Sequence, residues 1–516
     1  MVELGSPVMS SNHQRKALIA LRNSFEVCNP DIQLVLHDWA TNISSPEYIT
    51  SDYCNWVGVH CDDASNVTTI DLTNLGLQGP LPQHVFATFY SLTQLYLSFN
   101  NFSQSIPIDL GNCTNLEELD LSHNSLSSTI PVELIRALPN MVQIDLSSNS
   151  LSGHIDFEMF SENSTSLLFL NLSNNLFSGH IPFRFSSTLI VLDLSNNFFD
   201  GSLTTQASIG AMMMNLQVLK LGTNQLVGEI PHNLFTTCGA SFQELDLSWN
   251  LFWGTIPYTL GNCRSLEVLS LSRNKLSGNV PHELGMLTTL RSLILGDNNL
   301  IDLPYELRKL VSLVYLDVKR NKLSGSIPTF LGNMGEGALL EYVWLNGNNL
   351  TGVVEEWMFQ KLSKLRYIDV SNNGLQGGLK PIMGGVGSLE YLILAHNRFT
   401  GGIPDNIGGL KGLKVLDVSN NELNGTISSE LGSLESLSFF DAVHNNLSGP
   451  IPNMIGGRRA PSEETITPTL VPDYAGDCSP LRRWFPPDDL PDTDMDYESC
   501  ARVWNRLMSG GFDQAV

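Results

Sequence analysis

The sequence predicts an α/β solenoid: a right-handed superhelix with short parallel strands on its concave face and cysteine-stapled caps. Three observations predict it. One unit, Leu-x-x-Leu-x-Leu-x-x-Asn-x-Leu, usually closed by Gly-x-Ile-Pro, recurs sixteen times between Val67 and Ala460. The units begin at 67, 92, 116, 141, 167, 189, 216, 242, 266, 290, 313, 340, 365, 389, 413 and 437, about 25 residues apart, a spacing typical of stacked-coil proteins. Their ninth position is Asn in fifteen of the sixteen, Leu75 being the exception.

Taken in order, residues 1–10 are expected to be an unstructured leader or tag remnant. The opening MVELGSPVMSSNHQRK holds no apolar signal-peptide core, so a signal peptide has been removed or replaced, or the start has been placed too late. Residues 11–66 are expected to form an N-terminal cap, 67–460 the sixteen coils, and 461–516 a C-terminal cap with an acidic tail. Within a coil such as Leu116-Glu-Glu-Leu-Asp-Leu-Ser-His-Asn124, alternation along the strand sends positions one, four and six inward and three, five, seven and eight outward. No coil can close its own core, so its leucines stack on the coils before and after it. The ninth-position Asn turns inward where the strand ends and can pair with backbone groups of neighbouring coils. An open concave face of this kind binds rather than transforms.

Cys54 and Cys61 flank a short segment before the first coil, and Cys478 and Cys500 follow the last. Cysteine pairs at both open ends fit disulfide-stapled caps. The rival, a zinc site, is poorly served by two Cys per end without nearby His. Cys113 and Cys263 sit in matched Gly-Asn-Cys settings and are expected to be free, buried and inert, as is Cys238; Cys28 is left open. Nine Asn-x-Ser/Thr sequons, at Asn42, Asn66, Asn101, Asn112, Asn163, Asn171, Asn349, Asn424 and Asn446, fit a secretory route.

Composition excludes several classes. The chain has 516 residues, 42% apolar and 16% charged, with 52 acidic against 28 basic residues and a formal charge of −24. Nucleic acid and anionic membrane surfaces would be repelled. No run of 18 apolar residues exists, so no membrane insertion is expected within this chain. Kinase signatures are missing: no Gly-x-Gly-x-x-Gly with a following Val-Ala-x-Lys, no His-Arg-Asp, no Asp-Phe-Gly. Gly384-Gly-Val-Gly387 falls inside a repeat turn, the eleven His are scattered, and Glu355-Glu356 reads as a solvated face. No catalytic residue, metal or cofactor is expected.

Tyr53-Cys-Asn-Trp-Val-Gly-Val-His-Cys61, the preceding amphipathic stretch His13–Phe25 and closures such as Leu276-Ser-Gly-Asn-Val-Pro281 and Leu323-Ser-Gly-Ser-Ile-Pro328 resemble the plant extracellular leucine-rich-repeat receptor family. The resemblance covers about residues 11 to 460. It implies the ectodomain of a receptor-like kinase or receptor-like protein at the cell surface, binding a secreted peptide, another small signal or a pathogen molecule, often with a leucine-rich-repeat co-receptor kinase. Smaller relatives are secreted inhibitors of cell-wall-degrading enzymes, which is the alternative. The chain departs from the full receptor plan in carrying neither membrane span nor kinase domain.

The functional signal lies at outward strand positions, whose identity the fold does not dictate. Repeats two to eight place mostly small or acidic residues there, such as Asp120, Asp145, Asn171, Asp193 and Asp246. From repeat eight the character changes to Trp249, Arg273, Ile294, Tyr315, Lys319, Arg320, Tyr342, Trp344, Tyr367, Tyr391, Ile393 and His396. With neighbouring strands about 4.8 Å apart, these form one contiguous strip over seven coils, with the aromatic and basic composition of binding hot spots. Lys319 and Arg320 suit a carboxylate, sulfate or phosphate on a ligand. The bland reading is that the aromatics merely cover one another. Repeat ten (Asn298-Asn-Leu-Ile-Asp-Leu-Pro304) lacks the usual closure and is followed by a long coil containing Gly332–Gly337, which should alter the curvature beside Lys319 and Arg320.

Overall fold

The computed structural model describes residues 7–27, 39 and 53–449 apart from 132–133, 135–137, 156–165, 182–186, 204–212, 336, 356–360 and 384–386, together with 452, 454–455 and 458–459. The first strand of each unit, from Val67–Asp71 to Phe439–Asp441, pairs in parallel with the next. A short strand Val59–Cys61 adds antiparallel to the first. The result is one open sheet running the length of the array, residue matched to residue across coils, as in Tyr315↔Tyr342↔Tyr367↔Tyr391.

Burial follows the repeat. Leu116, Leu119 and Leu121 are buried, and so are their counterparts in every coil. Each such side chain stabilises the fold by roughly 1.5–3 kcal/mol, and because each coil's core is completed by its neighbours, the array is stable only as a stack. Asn at position nine clamps coil to coil. Asn298 donates through Nδ2 to the Leu271, Leu295 and Gly296 carbonyls at 2.9, 3.2 and 3.2 Å, and its Oδ1 accepts from the Leu276 amide at 2.9 Å. The same four contacts recur at Asn274, Asn321 and Asn397. On the convex side short 3-10 turns pack so closely that a Cβ on Gly285 would lie 2.5 Å from the Glu306 carbonyl oxygen.

A second, lateral set of strands follows the Asn. It runs from Leu77–Pro80, capped by antiparallel Glu26–Val27, to Asn299–Asp302, then restarts at Ser324–Gly325 and ends at Glu422–Leu423. The interruption falls at repeat ten, where the missing Gly-x-Ile-Pro closure was noted. A cleft of about 160 Å³ opens there between Asp302 and the Ser324–Thr329 segment.

The N-terminal cap packs Trp39 on Trp56 (5.7 Å between rings), and the Gln14 side chain accepts the Val67 amide at 2.9 Å, which closes the open end of the first coil. Its helix, Pro7–Asn23, begins inside the segment expected to be an unstructured leader. Cys54 and Cys61 are disulfide-bonded, as expected. The expectation for Cys238 and Cys263 is overturned: they are bonded to each other. Stacking explains it, because a convex turn lies directly over the residue one coil earlier, and Cys238 precedes Cys263 by 25 residues. One coil before Cys113 the equivalent residue is Thr88, and Cys113 is free and buried. Burial, then Asp109, pushes its thiol up to about 12. Native alkylation should therefore leave Cys113, Cys238 and Cys263 unmodified, and Cys263→Ser should cost about 3 kcal/mol in denaturant unfolding. Labelling of Cys263 in the unreduced native protein would contradict the bridge. Cys28, Cys478, Cys500, Asn42, Asn163 and the acidic segment from 461 lie outside the described residues.

Candidate ligand-binding face

Position eight of all sixteen units has φ between +48° and +67°. This left-handed conformation favours Gly, Asn and Asp, and Asn or Asp occupies six of the units. Only repeat twelve has Gly, and Gly347 leaves room for Arg320: a Cβ there would lie 3.0 Å from Arg320 Cγ. Trp249, Arg273, Arg320 and His396 hold this conformation with bulky side chains, a cost that points to selection for what the side chain does. Phe99 and His123 do the same in repeats two and three, their rings stacked at 4.2 Å.

Trp249 and Arg273 stack as a cation–π pair, the guanidinium 3.7 Å from the ring centroid. Asp297 then joins Arg273 at 3.8 Å and Arg320 at 3.5 Å, a cation–anion–cation line across three coils. Lys319 pairs with Asp317 at 3.2 Å. Asp317 is nonetheless raised above the ordinary carboxylate range, because its burial outweighs the lysine.

Next to these cations the rings form a ladder. Tyr315 lies 4.5 Å from Trp344, Trp344 4.6 Å from Tyr367, and Tyr367 5.7 Å from Tyr391. In-register strands bring large rings close enough to collapse on one another. As a result Tyr315 and Trp344 are each only 6% exposed and Ile393 only 3%, so these three are covered rather than open as their positions suggest. Ile294, Lys319, Arg320, Tyr342, Tyr367 and Tyr391 are half-buried, and Trp249 and His396 are exposed. What the ladder presents to solvent comes from the half-buried Tyr342, Tyr367 and Tyr391.

Sequence reasoning missed the flank of this face. At position two, Glu341, Arg366, Glu390 and Lys414 alternate in sign over successive coils, and Arg366–Glu390 and Lys414–Glu390 close to 2.6 and 2.8 Å. Burial raises the Glu390 carboxyl, but bonds from Lys414 and Arg366 win and hold it low. The alternation was visible as a column of charges at one repeat position. Also missed was Lys220, a cation within the acidic half, paired to Glu244 at 3.0 Å.

Buried and half-buried position-five carboxylates make this face pH-sensitive. Asp145, Asp193, Asp317 and Asp417 are raised by burial, and Asp369 reaches about 6. A folded-state value above the unfolded one, about 3.9, means the stability it contributes is full below pH 4 and is lost as pH rises through about 6. Asp369→Asn keeps the acceptor for the Ser371 amide, 2.8 Å away. This change should remove up to about 3 kcal/mol of pH dependence between pH 4 and 6. Unfolding curves that keep the wild-type slope in that window would refute it.

Among the described residues no group of three or more His, Cys, Asp or Glu is placed to hold a metal ion, and no helix is long and apolar enough to cross a membrane. The geometry defines a leucine-rich-repeat solenoid with an open concave face. Family comparison agrees: leucine-rich-repeat models match residues 90–133, 166–187, 240–300, 312–334 and 387–447, and the leucine-rich-repeat N-terminal domain matches residues 11–62. The chain belongs to the leucine-rich-repeat family and is similar to plant receptors of that family. Receptor-like protein kinase 7 of Arabidopsis thaliana is 36% identical over 107 residues, 21% of this chain and 10% of that protein. The match to the Arabidopsis thaliana receptor-like kinase RGI4 is 32% over 111 residues, 9% of that protein, so the aligned stretches span about a tenth of these relatives. Among solved structures, a TDR receptor gives a TM-score of 0.67 at 30% identity, covering 74% of this chain and 64% of that one. The Arabidopsis receptor kinase HAESA ectodomain, in complex with an IDA peptide hormone, gives 0.53 at 29%, covering 87% and 84%.

Proposed function

We propose that this chain is the extracellular, ligand-binding ectodomain of a plant cell-surface receptor. It recognises a secreted peptide or other small signal on the concave face of repeats eight to fourteen, acts with a leucine-rich-repeat co-receptor kinase, and has no catalytic activity of its own. One observation carries the reading: a ladder of packed rings, Tyr315 to Tyr391, runs along the same face as the cations Arg273, Lys319 and Arg320. The half-buried Tyr342, Tyr367 and Tyr391 supply apolar contact to a peptide. The cations already neutralise Asp297 and Asp317, and an incoming carboxylate or sulfate can share them through charge-assisted hydrogen bonds. The peptide-hormone complex of HAESA supports a peptide as the ligand class.

The test is capture of secreted peptides from plant apoplastic fluid by the immobilised full chain, with identification by mass spectrometry and titration of the synthetic peptide. Saturation at one peptide per ectodomain, or per receptor pair, is expected, with no change in the peptide's mass. Turnover of the peptide at substoichiometric protein would overturn the reading.

A further inference from the structure

The lateral sheet shows a division that the concave face does not explain. Its outward side is formed by positions ten and twelve of each unit. At the two ends of the array these positions hold glycan sequons: Asn101 in repeat two, Asn349 in repeat twelve, Asn424 in repeat fifteen and Asn446 in repeat sixteen, all exposed. From repeats three to eleven neither position carries a sequon. In repeats five to ten the same positions instead hold Leu176, Phe198, Val227, Leu251, Trp253 and Ile301, between 39% and 51% exposed. Large apolar side chains on the solvated face of a sheet are costly to leave open and mark interaction surfaces.

The register is informative. Val227 lies opposite Leu251, and Glu229, Trp253 and Lys275 lie in one line across three strands. An anion and a cation therefore stand on either side of an exposed tryptophan. We infer that this surface, centred on Trp253, docks a second copy of the same chain. A two-fold axis over Trp253, parallel to the strands and midway between the two sheets, sets each Glu229 against the other copy's Lys275 and brings the apolar residues together between stacked sheets about 10 Å apart. Self-complementarity of this kind is what a symmetric contact requires, and an asymmetric partner would have no need of it. The net charge of −24 on each copy opposes association only weakly, since charges beyond about 8 Å are screened at physiological salt. The inference is independent of the ligand site, which lies on the other sheet.

The test is sedimentation velocity of the full glycosylated chain across a concentration series. Wild type should form a dimer by about 100 µM. Leu251→Asn with Trp253→Thr creates an Asn-Phe-Thr sequon like that at Asn101 and should leave only monomer. Glu229→Lys should weaken the dimer about tenfold or more, and adding Lys275→Glu should restore it to within about threefold. The restoring pair keeps the inference testable even if the glycan variant fails to fold. A wild type that stays monomeric at about 100 µM, or a dimer indifferent to the charge reversal, would overturn it.

Discussion

Replacing Lys319 and Arg320 together with Ala should weaken ligand binding by about thirtyfold or more, the loss of 2 kcal/mol expected of a central anchor, and should flatten its salt dependence. Both side chains sit where the acidic face gives way to the ring ladder, and each already neutralises a carboxylate, Asp317 or Asp297. An anionic ligand group therefore meets cations held in place rather than flexible ones. Removing them leaves Asp317 buried and Asp297 facing the ligand, so attraction turns to repulsion. Ser147→Ala and Ser195→Ala, on the same face in the acidic half, should change affinity little. Titration calorimetry with the captured peptide at two salt concentrations checks this. If the serine changes abolish binding while the double change is silent, the site lies in the N-terminal half.

The largest effect on stability is expected at the Asn ladder. Asn298→Ala removes all three bonds to the Leu271, Leu295 and Gly296 carbonyls and leaves the Leu276 amide without its acceptor. Unsatisfied buried groups cost about 1–3 kcal/mol each, and some relaxation is available, so a loss of about 3 kcal/mol or more is expected. Because coils depend on their neighbours, hydrogen exchange should rise first in repeats nine and ten rather than uniformly. Ala in place of the half-buried Asn299 next door should change unfolding by no more than about 0.5 kcal/mol. Equal effects at 298 and 299 would contradict the ladder.

The fold was legible because one period governs everything: leucines at positions one, four and six, Asn at nine and Gly near the end each report the same coil. Cys54–Cys61 was legible because it closes a local segment. Cys238–Cys263 was not, because its partners are neighbours only after coils stack, and the similar surroundings of Cys113 and Cys263 suggested a shared fate. The strip of cations and aromatics could be placed in order along the sheet. Its exposure could not, since whether Tyr315 and Trp344 stand open or collapse on one another depends on ring packing between strands, which a pattern of outward positions does not encode. The left-handed backbone at position eight was likewise hidden: Asn and Asp hint at it, but Trp249, Arg273 and Arg320 conceal it. The lateral apolar surface was overlooked because positions ten and twelve belong to a second sheet that the unit's leucines do not announce.

Hydroxyl-radical footprinting of the full chain, with and without saturating peptide, tests the central claim most directly, because it reads the exposure of individual rings. Binding on the concave face of repeats eight to fourteen predicts that oxidation falls at Trp249, Tyr342, Tyr391 and His396 and is unchanged at Phe99 and Tyr258. Protection of Phe99, with Tyr342 and Tyr391 oxidised as in the free protein, would contradict the account.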